Sequence, residues 1–269
     1  MTQAISVRFV SVNGIRIEMI EGGEGPTLLF LHPAIGIAPD APVLQRLAAH
    51  GRLIAPVHPG FGASEAPRSF DSIDDLAYFY LDLIHGLGLA EITLVGVSFG
   101  GWIAAEMAIK STAQISHLVL GNPVGIKVGS REHRDIADIF AMTEPEFLEL
   151  AYFDPAAGRR DYKAMPEAQV RDAARNREAT ARYAWSPFMH DPKLKGRLHR
   201  IRVATLLLWG THDRVLSEGY GRAYCAAIPG ARFERIERAG HFPHIEQPDE
   251  FAEKLFAFIE ASDTKLSSG

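Results

Sequence analysis

Residues 92–105 read Ile-Thr-Leu-Val-Gly-Val-Ser-Phe-Gly-Gly-Trp-Ile-Ala-Ala. The first six form a short, near-continuous apolar run, the pattern of a strand covered on both faces. The residues that follow, with small side chains at Ala104, Ala105 and Ala108, read as a helix from Phe99 to Lys110. A strand that enters a helix through so short a connection must turn sharply, which forces the central residue into a strained conformation. Gly96 and Gly100 leave space there where side chains would collide. Ser98 then projects from the tip of the bend. The plainer alternative is an ordinary N-cap serine in a loop, and the flanking strand and helix argue against it.

Outward from this segment the same alternation recurs. Short apolar runs at residues 27–31, 53–57, 117–120 and 203–209 read as further parallel strands, and 232–236 as the last. Helical patterns lie at 43–49, 73–85, 218–227 and 250–260, and Ser72 with Asp74 and Asp75 gives the second of these an N-cap and an acidic first turn. Residues 4–21 alternate apolar and polar around Asn13-Gly14, so an antiparallel hairpin opens the chain. Strand-helix alternation of this kind predicts an α/β sheet. It stops between Asn122 and Arg200, where helices are expected at 131–142, 144–153 and 167–185, punctuated by Pro145, Pro155, Pro166 and Pro187. This stretch reads as a helical insertion between two sheet strands. It carries 14 basic and 12 acidic residues and is net +2, against −7 for the rest. Charges of both signs, interspersed, are what exposed helices carry, and a preference for anionic substrates is only hinted at.

A chain of 269 residues, 47% apolar and 23% charged, supports a large core. Its net charge of −5 is the wrong sign for a surface that tracks phosphates, so nucleic acid is not an expected partner. The longest uncharged stretches, residues 25–39 and 92–105, are too short for a membrane span and contain glycine or proline. The first ten residues lack the basic start and apolar block of a secretory signal, and the one cysteine, Cys225, cannot form an internal disulfide. A cytoplasmic location is therefore expected.

A serine hydroxyl near neutral pH is a poor nucleophile and needs a base to take its proton and a third group to orient that base. Asp213 follows the strand ending Leu208-Trp209-Gly210, where a loop at the carboxyl end of a strand can aim it into the crevice of the sheet. His241 follows the last expected strand, in Ala239-Gly240-His241-Phe242. Taken singly an aspartate or histidine has bland explanations. Here three residues agree in order and in strand-end placement, and serine, aspartate, histidine is the order this type of bend uses.

Through Gly96 to Gly101, Gly210-Thr211-His212-Asp213 and Gly240-His241-Phe242 the chain resembles the α/β-hydrolase superfamily along its whole length. The resemblance implies a mostly parallel eight-stranded sheet with helices on both faces. Residues 1–121 and 201–269 would form the core and 122–200 a helical cap. It implies that His241 is general base and then general acid, held in its tautomer by Asp213. It also implies two backbone donors for the oxyanion. One is the amide of Phe99. The other comes from Leu31-His32-Pro33-Ala34-Ile35-Gly36, where relatives often have glycine after the histidine. Pro33 has no N–H, so the donor should be Ala34. His32, ahead of a proline, is expected to be structural. A second departure is His58 in Val57-His58-Pro59-Gly60-Phe61-Gly62-Ala63-Ser64, where the family turn usually begins with aspartate; its glycines and proline mark it as a turn.

Together these features predict a serine hydrolase that cleaves a small carboxylic ester through an acyl-enzyme. No metal or organic cofactor is implied. The expected partners are a small-molecule ester or related carbonyl substrate and, as an open option, a second copy of the chain. Trp185, Phe188, Met189, Val215 and Phe242 are candidates for the substrate lining, each with an ordinary core role as the alternative. Two rivals stand beside this expectation: a C–C bond hydrolase acting on a vinylogous diketone acid, and a ligand receptor that keeps the triad without turnover. Gly86-Leu87-Gly88 precedes a strand instead of following one and is no dinucleotide loop, while His241 and His244 lack further ligands for a metal. Cys225, among alanines on a helix, reads as a small packed hydrophobe.

Overall fold

The computed structural model describes residues 4–130 and 132–266. The expected ranges of core and insertion extend past these, to residues 1–3, 131 and 267–269, which lie outside the described residues.

The chain opens with strands β1 (Ser6–Val12) and β2 (Ile15–Gly22), paired antiparallel and closed by the Val12–Ile15 pair. Asn13 and Gly14 between them both take positive φ, 49° and 83°, which a two-residue turn matching the twist of the strands requires. Next come β3 (Thr27–Leu31), α1 (Pro42–Ala48), β4 (Arg52–Pro56), α2 (Ile73–Gly86), β5 (Ile92–Val97), α3 (Phe99–Lys110) and β6 (Ile115–Gly121). Between β6 and the next strand lie α4 (Glu144–Ala151), a 3-10 turn at Pro155–Gly158, α5 (Glu167–Ala184) and a 3-10 turn at Lys195–Arg200. The chain then completes the sheet with β7 (Ala204–Gly210), α6 (Glu218–Ala226), β8 (Arg232–Ile236), the short α7 (Pro243–Glu246) and α8 (Pro248–Leu266).

The eight strands form one sheet in the order β1-β2-β4-β3-β5-β6-β7-β8, parallel from β4 onward. Helix α1 packs on α8 and α2 on α3, so helices cover both faces. Every residue of β5 is buried, which accounts for its unbroken apolar run. Helix α2 starts where Ser72 and Asp75 form a reciprocal capping box, with the Asp75 amide donating to Ser72 Oγ at 3.2 Å and the Ser72 amide to Asp75 Oδ2 at 3.0 Å. From β3 the chain winds first toward β4 and then back past β3 to β5. Open α/β sheets bind ligands outside the carboxyl ends of the strands at such a reversal. No helix among the described residues is long and apolar enough to cross a membrane.

One expected element is absent. Residues 132–142 hold turns and an isolated bridge from Ile136 to Leu216 where a helix was expected over 131–142. The reason lies in Asp135, whose carboxylate accepts the amides of Val128 and Gly129 at 2.9 Å each and pairs with Lys127 at 2.9 Å. A side chain that satisfies backbone donors in this way competes with the helical ladder.

Candidate active site

The bend between β5 and α3 has the strain its sequence predicted. Ser98 sits at φ 52°, ψ −113°, a backbone conformation that costs a non-glycine residue on the order of 1–3 kcal/mol. Three bonds hold it there: the Ser98 amide donates to Gly121 O at 2.8 Å, and Ser98 O accepts the amides of Trp102 at 3.1 Å and Val124 at 3.3 Å. The glycines around it answer to contact. A Cβ on Gly96 would stand 2.4 Å from Gly100 O, and one on Gly100 would stand 2.1 Å from Leu31 O.

Ser98 Oγ lies 2.7 Å from His241 Nε2, and His241 Nδ1 lies 2.8 Å from Asp213 Oδ2. All three are buried. A carboxylate accepts, so the proton of the neutral imidazole belongs on Nδ1, leaving Nε2 to receive the Ser98 hydroxyl proton. Asp213 is itself held by three other donors: its Oδ1 takes the amides of Val215 at 2.9 Å and Leu216 at 3.0 Å, and its Oδ2 takes Asn122 Nδ2 at 2.7 Å. Asn122 was not singled out from the sequence. It directly follows β6, between β5, which leads into Ser98, and β7, which leads toward Asp213, and its Oδ1 accepts the Gly210 amide at 3.0 Å. A polar residue at that strand end was the available signal.

The histidine loop is braced from the segment between β6 and β7. The His241 amide donates to Ala151 O at 2.7 Å, and a Cβ on Gly240 would stand 2.3 Å from the same oxygen. Glu246 Oε2 accepts the Gly240 amide at 2.7 Å while its Oε1 accepts Phe153 and Asp154 amides at 2.9 Å each.

The two amides expected to serve an oxyanion lie on adjacent loops, because Leu31 pairs with Gly96 and Ala34 and Phe99 each stand three residues further on. Neither donates to a protein acceptor among the described residues. His32, fully buried, donates from Nδ1 to Pro33 O at 2.7 Å and accepts the His58 amide on Nε2 at 3.0 Å. His58 donates from Nε2 to His32 O at 2.8 Å and accepts Tyr80 O–H on Nδ1 at 2.5 Å. Burial pushes His32 down to about 4, and burial together with His32 holds His58 well below the usual histidine range, so both rings are neutral at pH 7. The histidine that replaces the family's aspartate is thus a structural partner of His32.

A cavity of about 310 Å³ has Ala34 and Ile35 among its walls, while Ser98, Phe99, Asp213 and His241 are not among them. Its other walls include Phe147 and Leu148 of α4, Tyr152, Arg160, and Ala173, Asn176, Arg177 and Thr180, one face of α5. None of Trp185, Phe188, Met189, Val215 and Phe242 lines this cavity. Trp185 lies one residue past α5, off that face and 60% exposed, against Phe140 and Phe188. Phe188 is half-buried and Met189 buried. Val215 is buried and gives its amide to Asp213 Oδ1, and Phe242 packs its ring 4.9 Å from His241 and 5.3 Å from Tyr152.

A sequence profile of the alpha/beta hydrolase family matches residues 28–254. The chain is 25% identical to a 2-hydroxy-6-oxo-2,4-heptadienoate hydrolase of Pseudomonas putida, over 95% of this chain and 97% of that one. It is 27% identical to a pimeloyl-acyl-carrier-protein methyl ester esterase of Photobacterium profundum, over 88% of this chain and 96% of the other. Among solved structures, a bacterial membrane phospholipase A superposes with a TM-score of 0.78 at 24% identity, covering 97% of this chain and 87% of the other, a likeness of fold.

Proposed function

Because the chain belongs to the alpha/beta hydrolase family, we propose that it is a serine hydrolase that cleaves a small carboxylic ester through an acyl-enzyme, with Ser98, His241 and Asp213 as its triad. The observation that carries this is the continuous hydrogen-bonded path from Ser98 Oγ through His241 to Asp213. Ser98 attacks the ester carbonyl as His241 Nε2 takes its proton, and the resulting oxyanion is met by the amides of Ala34 and Phe99. Collapse expels the alkoxide, which receives that proton from the imidazolium. Water then enters, gives a proton to His241 and attacks the acyl carbonyl, and Ser98 leaves with the proton returned to it. Asp213 keeps the tautomer correct and stabilises the imidazolium. Residues 122–200 form a cap over the core of 1–121 and 201–269, and the cavity beneath α5 receives the acyl group.

A fluorophosphonate probe tests this directly. The wild type should gain one probe mass at Ser98 and hydrolyse 4-nitrophenyl butyrate, and Ser98→Ala should do neither. No mass gain, or an equal gain in Ser98→Ala, overturns the proposal and leaves a ligand receptor on the same fold.

A second reading, hydrolysis of a C–C bond in a vinylogous diketone acid, draws support from Arg160 and Arg177 on the cavity wall. Each donates one hydrogen bond of 3.4 Å, to Ile35 O and Ile139 O, Arg177 also lies 4.9 Å over the Phe140 ring, and neither pairs with a carboxylate among the described residues. The Pseudomonas putida relative is named for an acid of this kind. Turnover of such diketone acids with none of short esters would decide for it.

A further inference from the structure

Asn176 stands midway along α5, 8% exposed, and both ends of its amide are committed to the core. Its Oδ1 accepts the Gly62 amide at 3.0 Å, which fixes which way the side chain points, and its Nδ2 donates to Ile35 O at 3.2 Å. Gly36, at φ 85°, presses against the same group: a Cβ there would stand 2.4 Å from Asn176 Nδ2. Residues 33–36 form a tight turn in which the Gly36 amide donates to Pro33 O at 2.9 Å.

A trans peptide is rigid, with its C=O and N–H pointing opposite ways. Two such planes connect Asn176 to the expected oxyanion donor. The plane joining Ile35 to Gly36 shows its oxygen to Asn176 and its N–H to Pro33 O. The plane joining Pro33 to Ala34 shows its oxygen to Gly36 and to His32 Nδ1, and so its N–H faces the other way. If the first plane swings, the second loses one of the two bonds that aim the Ala34 amide.

We propose that Asn176 is a positioning residue: by clamping Ile35 O from the cap it aims the Ala34 amide at the oxyanion, so that acyl transfer is fast only while α5 is seated on the core. This rests on the serine-hydrolase reading of the same site. Arg160, 3.4 Å from the same carbonyl, supplements the clamp. Removing one oxyanion donor in other hydrolases costs about 10²–10³ in kcat, so mis-aiming one should cost about ten- to a hundredfold.

The test compares wild type, Asn176→Ala and Asn176→Asp, the last keeping an acceptor for Gly62 while turning an anion toward Ile35 O. Tyr183→Phe is the control, because Tyr183 O–H ties α5 to Pro59 O at 3.0 Å without touching the 33–36 turn. The readouts are kcat and KM on 4-nitrophenyl butyrate, inhibition by butylboronic acid, whose tetrahedral adduct presents an oxygen to the donors, and the pH profile. Both Asn176 variants should lose kcat by about ten- to a hundredfold with KM within about threefold, and boronate affinity should fall in proportion. The pH profile should keep its shape in Asn176→Ala, since His241 and Asp213 are untouched there. Tyr183→Phe should keep kcat within about twofold. Unchanged kcat in either folded Asn176 variant, or an equal loss in Tyr183→Phe, overturns the proposal. Failure of the serine-hydrolase reading looks different, because the wild type itself would then resist the fluorophosphonate.

Discussion

Asp213 accepts four hydrogen bonds, and only one of them is from His241. This makes Asp213→Asn an informative substitution. The amide has nearly the shape of the carboxylate, but its NH2 cannot accept from His241 Nδ1, so the imidazole turns to the tautomer that cannot take the Ser98 proton. The expected result is a folded protein with kcat lower by about 10⁴-fold, as for the equivalent change in serine proteases. Circular dichroism and steady-state rates check both halves, and near-normal turnover would remove Asp213 from its role. Asn122→Ala acts differently, since it strips one donor from Asp213 and leaves the Gly210 amide without its partner. An unsatisfied buried donor costs about 1–3 kcal/mol, so chemical denaturation should show a loss of that size. A fall in kcat smaller than that of Asp213→Asn should accompany it, because the tautomer of His241 survives.

At the scale of elements, the β5–α3 bend shows why its glycines were readable from sequence. Gly100 lies where backbone of the β3 end passes, with Leu31 O in the space a Cβ would occupy. Gly100→Ala therefore has no flexible side chain to push aside, and β3 or α3 must shift. Thermal unfolding should show Tm lowered by well over 10 °C or a chain that does not fold, whereas an alanine at Gly88, where no atom lies within 4 Å but φ is +62°, should cost only local strain. A Gly100→Ala protein of wild-type Tm would contradict the close approach. The segment 132–142 shows the opposite lesson: its composition suits a helix, and the bonds from Asp135 to Val128 and Gly129 decide against one.

For the whole molecule, the buried histidines set the response to acid. His32 is pushed down to about 4 and His244, fully buried among Phe30, Phe242 and Phe251 with both ring nitrogens unpartnered among the described residues, to about 3, chiefly by burial; His58 lies well below its usual 6.5. The folded state keeps these rings neutral while the unfolded chain takes up protons below 6.5. Their contribution is therefore fully present above pH 6.5 and is lost as pH falls toward about 4, by up to about 1.4 kcal/mol per pH unit for each ring. Tm should fall steadily from pH 7 to 4.5, and His244→Phe should make that fall shallower; a flat profile would mean that the rings are not held neutral. The sheet, the order of its strands along the chain and the bend at Ser98 were legible in the sequence, because apolar periodicity and glycine sterics act over a few neighbouring residues. So were Asp213 and His241, whose strand-end positions follow from that order. Asn122, the pairing of His32 with His58, the cavity face of α5 and the clamp of Asn176 on Ile35 were decided only by tertiary structure. Each depends on a hydrogen bond or contact between residues far apart in the chain, 114 positions in the case of Asn176 and Gly62, and no local pattern records which distant donor finds which acceptor.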